Sequence, residues 1–196
     1  MKKTIWIPLV LGITLGLLDF ISFAVHWVIQ IASFGAIGPQ EILVVISAAL
    51  GGPVGLLAAN ILQELGMHIF LLKGDFPGQR LLEVSISIAD FFAHTIALLA
   101  VAYGYRFLHQ RAKKATIYIA GWILITVIYY IVLLPLQSLV HNLLVPGLLP
   151  LQTLVRGAPP EFLMVAIIST LILIALPRRY RRPLWYESKK ASEQNG

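Results

Sequence analysis

Cysteine is absent from this chain of 196 residues, and charged residues make up only 12% of it. The lack of cysteine excludes disulfide bonds, a thiolate nucleophile and a thiolate metal site. A soluble domain has about 25% charged residues, whereas here hydrophobic residues make up 58% and the mean hydropathy is +0.83. The composition therefore predicts an integral membrane protein.

The sequence also lacks the P-loop, G-x-S-x-G and H-E-x-x-H patterns of nucleotide-binding proteins, serine hydrolases and zinc proteases. Its length predicts one transmembrane domain, residues 1–182, followed by a polar tail, residues 183–196. We expect no enzyme activity and no cofactor. The run Arg178–Arg182 directly follows an apolar span, which favours contact with membrane lipid over a nucleic-acid partner.

The segment Glu41–Leu72 runs 32 residues without Lys or Arg. One straight helix of that length would measure about 48 Å, whereas the hydrocarbon core of a bilayer is about 30 Å thick. Gly51-Gly52-Pro53 lies within the segment, and such a sequence ends a helix. The segment is therefore predicted to form two helices, residues 41–51 and 53–72.

Basic residues cluster at Lys2-Lys3, Arg106–Lys114 and Arg178–Lys190. Such clusters beside apolar spans are typical of cytoplasmic loops. Six crossings place all three clusters on one side, and five do not. The sequence thus predicts an all-α, polytopic membrane helical bundle of six transmembrane helices in the cell membrane, with both termini cytoplasmic. The predicted helices are residues 5–31, 41–51, 53–72, 81–107, 115–140 and 161–176.

Three carboxylates, Asp19, Glu64 and Asp90, lie inside the predicted spans, each with a histidine on the same helix face. A charge at the bilayer centre costs about 2.5–3.5 kcal/mol on insertion scales. Two interpretations are open: the polar residues pair with one another to hold helices together, or they line a ligand pocket. The candidate ligand-binding residues are Glu64, His68, Asn60, Asp90, His94, His26, Trp27 and Tyr130.

Three chemistries fit these polar faces. The first is a site for a small polar or cationic molecule, with carboxylates as acceptors and aromatic rings as stacking partners. The second is a metal site built on His26, His68 and His94, but no two of them form a short ligand motif, so no metal is expected. The third is a proton relay. The pocket is predicted in the outer half of the membrane, under loops 30–40 and 141–160.

Gly12 and Gly16 form a small-x-x-x-small pair in the first predicted helix. Such a pair lets a second helix approach closely. We expect it to contact a partner subunit or another span of the same chain.

The region around the Gly-Pro break resembles the substrate-binding S-components of energy-coupling factor (ECF) vitamin transporters. In that family a short helix enters a Gly-Pro turn, and a Gly- and Ala-rich helix ending in an acidic residue follows. Leu50–Gly55, Ala58–Asn60 and Glu64 match this pattern, and Pro159-Pro160 and Arg178–Arg182 match the family's last loop and basic tail.

The resemblance implies a membrane-embedded subunit that binds a small, vitamin-like molecule for uptake. Its partner would be an energising transporter module, made of a membrane coupling subunit and ATPases. The family docks that module through an Ala-x-x-x-Ala pair in its first helix, where this chain has Gly12 and Gly16.

Val44–Ala58 also resembles the membrane sensor region of LytS-type histidine kinases, in which an apolar run enters Gly-Gly-Pro and a small-residue helix follows. The arginine that precedes the break in that family has no counterpart here. Its Pro-Met pattern in the last helix is matched only by Pro160 and Met164. This resemblance implies the alternative function, a ligand-sensing membrane module that acts through a partner protein.

Overall fold

Helices make up nearly all of the part of the chain that the computed structural model describes, namely residues 3–25, 29–30, 36–37, 40–72, 80–177 and 180–185. Two-residue strands β1 (Ile29–Gln30) and β2 (Ala36–Ile37) pair antiparallel between the first two helices. The helices are α1 (Lys3–Ala24), α2 (Gln40–Met67) with its π-helical continuation His68–Leu72, α3 (Arg80–Arg111), α4 (Ala115–Leu144) and α5 (Leu151–Ala175). The predicted all-α class is confirmed.

Five helices among the described residues are long and apolar enough to cross a membrane. The most apolar window of each has a mean hydropathy between 1.8 and 2.4. Large apolar side chains such as Ile7, Leu18, Ile131 and Leu171 are more than half exposed on the outer faces of the helices. A soluble protein rarely leaves so much apolar surface in contact with water, so the architecture is that of a membrane helical bundle.

Helix α2 folds back on itself at Gly52, whose backbone has φ +59° and ψ −151°. The Gln63 side-chain amide donates to Glu41 Oε1 at 3.3 Å, whereas these two residues would be about 33 Å apart along a straight helix. Ser47 Oγ likewise donates to the Gly55 carbonyl at 2.9 Å. The predicted break at Gly51-Gly52-Pro53 is confirmed, and α2 is a hairpin of residues 40–51 and 53–67.

The prediction of six full crossings is wrong, because the first half of the hairpin is too short. Residues 40–51 rise only about 18 Å, well below the hydrocarbon thickness of about 30 Å. A straight helix of this length is therefore too short to cross the hydrocarbon core. The backbone groups freed at its tip are covered by protein, which is the condition under which broken helices occur in membranes.

Contacts between helices show that the ends carrying the basic clusters lie together. Gly12 of α1 lies against Gly55, so α1 runs parallel to the second half of the α2 hairpin. Tyr105 of α3 meets Tyr118 of α4 and the backbone of Arg181. The start of α1, the loop between α3 and α4, and residues 180–185 thus share one end of the bundle, called the basic end below.

The glycine pair of α1 packs inside the bundle. A Cβ on Gly12 would overlap the backbone of Gly55, and one on Gly16 would lie 2.9 Å from the Cα of Ala59. Of the two contacts expected for Gly12 and Gly16, with a partner subunit or with another span of the same chain, the structure shows the second: the close approach is with α2.

The membrane helices differ from the predicted bounds where prolines were taken as loop residues. Pro159 and Pro160 lie inside α5, which begins at Leu151, so the predicted loop 141–160 shrinks to residues 145–150. Neighbouring helices and local backbone adjustment tolerate proline in membrane helices. In contrast, α1 ends at Ala24 instead of Ile31.

Residues 180–185 cover the tip of the hairpin. The Trp185 indole lies directly over Gly52 and packs edge-on against Tyr103, with the Arg106 guanidinium 5.4 Å from its ring centre. The Leu184 amide donates to the Leu50 carbonyl at 2.7 Å. The first residues of the predicted polar tail, 183–185, therefore pack on the bundle, and residues 186–196 lie outside the described part.

Candidate functional site

A buried group of polar side chains joins the α2 hairpin to α3 and α4. His94 Nδ1 lies 2.9 Å from Glu64 Oε1, and His94 Nε2 lies 3.3 Å from Glu41 Oε1. The protonated histidine ring, in which both nitrogens are donors, suits this bridge. The Tyr129 hydroxyl donates to Glu41 Oε2. We call Asp19, Glu41, Glu64, His94 and Tyr129 the carboxylate cluster.

Asp19 approaches the cluster from α1. Its neighbours Gly16 and Phe20 contact Leu62 and Gly66 respectively, which places Asp19 at the level of Glu64. It is fully buried and interacts electrostatically with Glu41 and Glu64. Neither of its carboxylate oxygens has a hydrogen-bond partner among the described residues.

The buried oxygens that lack a donor all lie on neighbouring turns of α1 and α2. They are both carboxylate oxygens of Asp19, Asn60 Oδ1, Gln63 Oε1 and Glu64 Oε2. All five are acceptors, and within the described residues no Lys or Arg side chain pairs with these groups. Since buried acceptors are nearly always satisfied in native proteins, such a concentration requires an explanation.

The structure brings two of the predicted site residues, Glu64 and His94, into direct contact. A third, Asn60, lies one turn away, and its amide donates to the Phe91 carbonyl and to Thr95 Oγ1. This fixes α2 against α3 while leaving the Asn60 carbonyl oxygen free of donors. The three residues thus lie together where α2 packs on α3.

The other described site residues form their hydrogen bonds with different partners. Asp90 pairs with His141 of α4 at 2.7 Å, and His68 Nδ1 lies 3.0 Å from Ser87 Oγ. The Tyr130 hydroxyl donates to Glu161 at 3.2 Å. Asp90, His68 and Tyr130 thus each join a pair of helices, while Asp90 also interacts electrostatically with Glu64 and Tyr130 packs edge-on against Tyr129. His26 and Trp27 lie outside the described residues.

The predicted set of ligand-binding residues does not include Glu41, Gln63 and Tyr129, which the structure places beside His94 and Glu64. Glu41 could have been identified from the sequence. The signal that identifies it is its position, because Glu41 and Gln63 are each eleven residues from Gly52 and a hairpin that turns at Gly52 brings them side by side. Tyr129 carried no distinguishing signal beside Tyr130.

The cluster offers oxygen acceptors without the geometry of a metal site. Among the described residues, no group of three or more His, Asp and Glu side chains could hold a metal ion. Acceptor oxygens beside a bridging histidine can instead hold a cation or a hydrogen-bond donor, or store a proton.

Comparisons of the chain with protein-family models, with curated proteins and with solved structures found no match. They lend support neither to the resemblance to S-components nor to that to the LytS-type sensor region.

Proposed function

We propose that the protein binds a small cationic or hydrogen-bond-donating molecule at the carboxylate cluster, as the ligand-binding membrane subunit of an uptake transporter. One observation carries this proposal: five buried acceptor oxygens on Asp19, Asn60, Gln63 and Glu64 have no donor among the described residues. Leaving a buried acceptor unsatisfied costs about 1–3 kcal/mol. A ligand that supplies donors removes this cost, and its bonds to carboxylates are charge-assisted.

Glu41 differs from Glu64 and Asp19 in the number of hydrogen bonds that its carboxylate accepts, and this difference distinguishes a structural group from ligand-binding groups. Glu41 accepts from three side chains, His94, Gln63 and Tyr129. Glu64 accepts only from His94, and Asp19 from no described residue. If the cluster served only to hold helices together, the same donors would be expected to satisfy all three. We therefore assign ligand contact to Asp19 and Glu64 and a supporting role to Glu41.

The position of the cluster along the bundle fits capture from outside the cell. Glu64 lies twelve residues beyond Gly52, about 18 Å from the hairpin tip, and thus towards the end opposite the basic end. Positively charged membrane-protein loops face the cytoplasm. We propose that the basic end, with both termini, is cytoplasmic and that the ligand enters from the other side.

This orientation predicts a labelling pattern for single cysteines in a chain that has none of its own. Pro150→Cys, in the exposed loop before α5, is expected to react with a membrane-impermeant maleimide in intact cells. Gln110→Cys, exposed near the end of α3, is expected to react only after lysis. Strong labelling at position 110 in intact cells would show the opposite orientation and remove the argument for capture from outside.

Glu64→Gln tests the site itself. The change keeps the size of the side chain and removes its charge, so we expect binding to weaken by at least several-fold, equivalent to about 1–3 kcal/mol for a charge-assisted hydrogen bond. The measurement is native mass spectrometry of protein purified from cells, which reports the fraction that carries a co-purified small molecule.

Asp90→Asn is the matched control, because it also neutralises a buried carboxylate beside a histidine, but one whose oxygens are not among the five that lack a donor. It should retain the co-purified molecule. Normal ligand occupancy in Glu64→Gln, combined with a lower melting temperature, would make Glu64 a structural partner and would refute the proposed site.

A ligand-sensing module is the second candidate, and one observation favours it. Residues 184 and 185 contact the hairpin at Leu50 and Gly52, so the hairpin that carries Glu41 and Glu64 is connected to the C-terminal segment. Affinity purification separates the two functions: a membrane coupling subunit with ATPases supports uptake, and a kinase or response regulator supports sensing.

A further inference from the structure

A cavity of about 330 Å³ lies at the basic end, where the loop between α3 and α4 meets the end of α5. Three cationic side chains line it, those of Lys113, Lys114 and Arg181, and no acidic residue of the described chain does so. Ile119 and Ile174 form an apolar wall next to these charges. The cavity shares no residue with the carboxylate cluster and has the opposite charge, so it would bind a different ligand.

Arg181 is held in place by backbone groups. Its Nε donates to the Leu176 carbonyl at 2.7 Å and its Nη2 to the Ile174 carbonyl, and its own carbonyl accepts from the Tyr105 hydroxyl. Among the described residues, no acceptor is hydrogen-bonded to its Nη1. A guanidinium fixed in this way loses little side-chain freedom when it binds an anion.

The start of α4 adds backbone donors to the same cavity. Lys114, the residue before the helix, makes no side-chain capping bond, and the first turn of α4 contains no acidic residue. The Tyr118 amide donates to the Lys114 carbonyl. The backbone amides of residues 115–117 come before it in α4, and the helix contains no carbonyl to which they can donate. The positive end of the dipole of a 30-residue helix therefore points towards Lys113 and Lys114.

We infer that this cavity binds a phosphate group, held between Lys113, Lys114 and the Arg181 guanidinium. Fixed cations and helix amides are the donors that phosphate oxygens take in proteins. The source of the phosphate is either the headgroup of an anionic lipid, whose acyl chains would lie along Ile119 and Ile174, or a free phosphate. Basic pockets between membrane helices hold lipid headgroups in this way. The inference does not rest on the proposed function.

The test uses the full chain, delipidated in a neutral detergent, with three probes: dioleoylphosphatidylglycerol, dioleoylphosphatidylcholine and inorganic phosphate. Native mass spectrometry measures the fraction of protein that retains each probe. We expect one phosphatidylglycerol per chain, retained at least about fivefold more than phosphatidylcholine, because charge-assisted contacts to the phosphate hold a net anionic headgroup more strongly. Retention of inorganic phosphate, or displacement of the lipid by it, identifies free phosphate as a sufficient ligand.

Lys113→Gln/Lys114→Gln should abolish this preference. Both lysines are exposed, so the variant should fold like the parent. The matched control is Arg80→Gln/Arg156→Gln. It removes two exposed charges near the starts of α3 and α5, at the end of the bundle opposite the basic end. This variant should keep the preference for phosphatidylglycerol. Equal retention of the two lipids by the parent, together with no phosphate adduct, would overturn the inference. An equal loss of binding in both variants would overturn it as well.

Discussion

Gly52→Ala is expected to leave little folded protein in detergent, with a loss of stability of about 2–6 kcal/mol. Two costs add. The backbone at Gly52, with φ +59° and ψ −151°, lies in a region that is essentially restricted to glycine and costs other residues about 1–3 kcal/mol. A Cβ at this position would also overlap the Trp185 indole, and such crowding costs about 1–3 kcal/mol more.

Gly147→Ala is the matched control for this variant. Gly147 also has a positive φ, +79°, but an added Cβ would meet no atom within 4 Å. Its melting temperature, measured by fluorescence in the same detergent, should fall less than that of Gly52→Ala, because the cost of a positive φ applies there without a steric overlap. Adding Trp185→Ala to Gly52→Ala should restore part of the lost stability by removing the overlap. Equal melting of Gly52→Ala and Gly147→Ala would show that the reversal at Gly52 does not depend on glycine.

His94→Ala is expected to lower stability by about 3–5 kcal/mol, the cost of removing one partner from a buried ion pair. His94 is the histidine shared by Glu41 and Glu64, and both carboxylates are largely shielded from solvent. Without it, Glu64 loses its donor among the described residues, and Glu41 keeps only Gln63 and Tyr129. Thermal unfolding followed by size-exclusion chromatography measures the loss.

His68→Ala provides the comparison. His68 is only partly buried and contacts the neutral hydroxyl of Ser87 at 3.0 Å, so its removal should cost no more than about 1 kcal/mol. Adding Glu64→Gln to His94→Ala should recover part of the stability, because it removes one of the two uncompensated charges. If His94→Ala unfolds at the same temperature as His68→Ala, the bridge contributes nothing to stability and the assigned supporting role of Glu41 fails.

The position of the break in α2 could be predicted, and the number of crossings could not. Two glycines and a proline at 51–53 stop a helix for local steric reasons, which the sequence carries. Whether the short half 40–51 crosses the membrane depends on the depth at which its first turn starts. The Gln40 side chain donates to Ser22 Oγ near the end of α1, a tertiary contact that charge placement does not reveal.

The candidate site was predicted in part for a similar reason. Periodicity placed Glu64 and His94 each on the polar face of its helix, and these faces do meet. Asp90 lies four residues before His94 on the same face, yet it pairs with His141. The choice between partners depends on how neighbouring helices are rotated and tilted against one another. Side-chain packing between the helices sets those angles, and they cannot be derived from the spacing of residues along one helix.

The contact between Trp185 and Gly52 has a consequence for how the protein is made. The indole that closes the hairpin tip is synthesised 133 residues after the glycine that it covers. At about 5–20 residues per second, this delay is roughly 7–27 s. Throughout that interval the tip of the α2 hairpin has no cover from Trp185, and α1 is the neighbouring helix that is already present when the hairpin is made. The final closure of the tip by the indole therefore cannot precede the synthesis of Trp185.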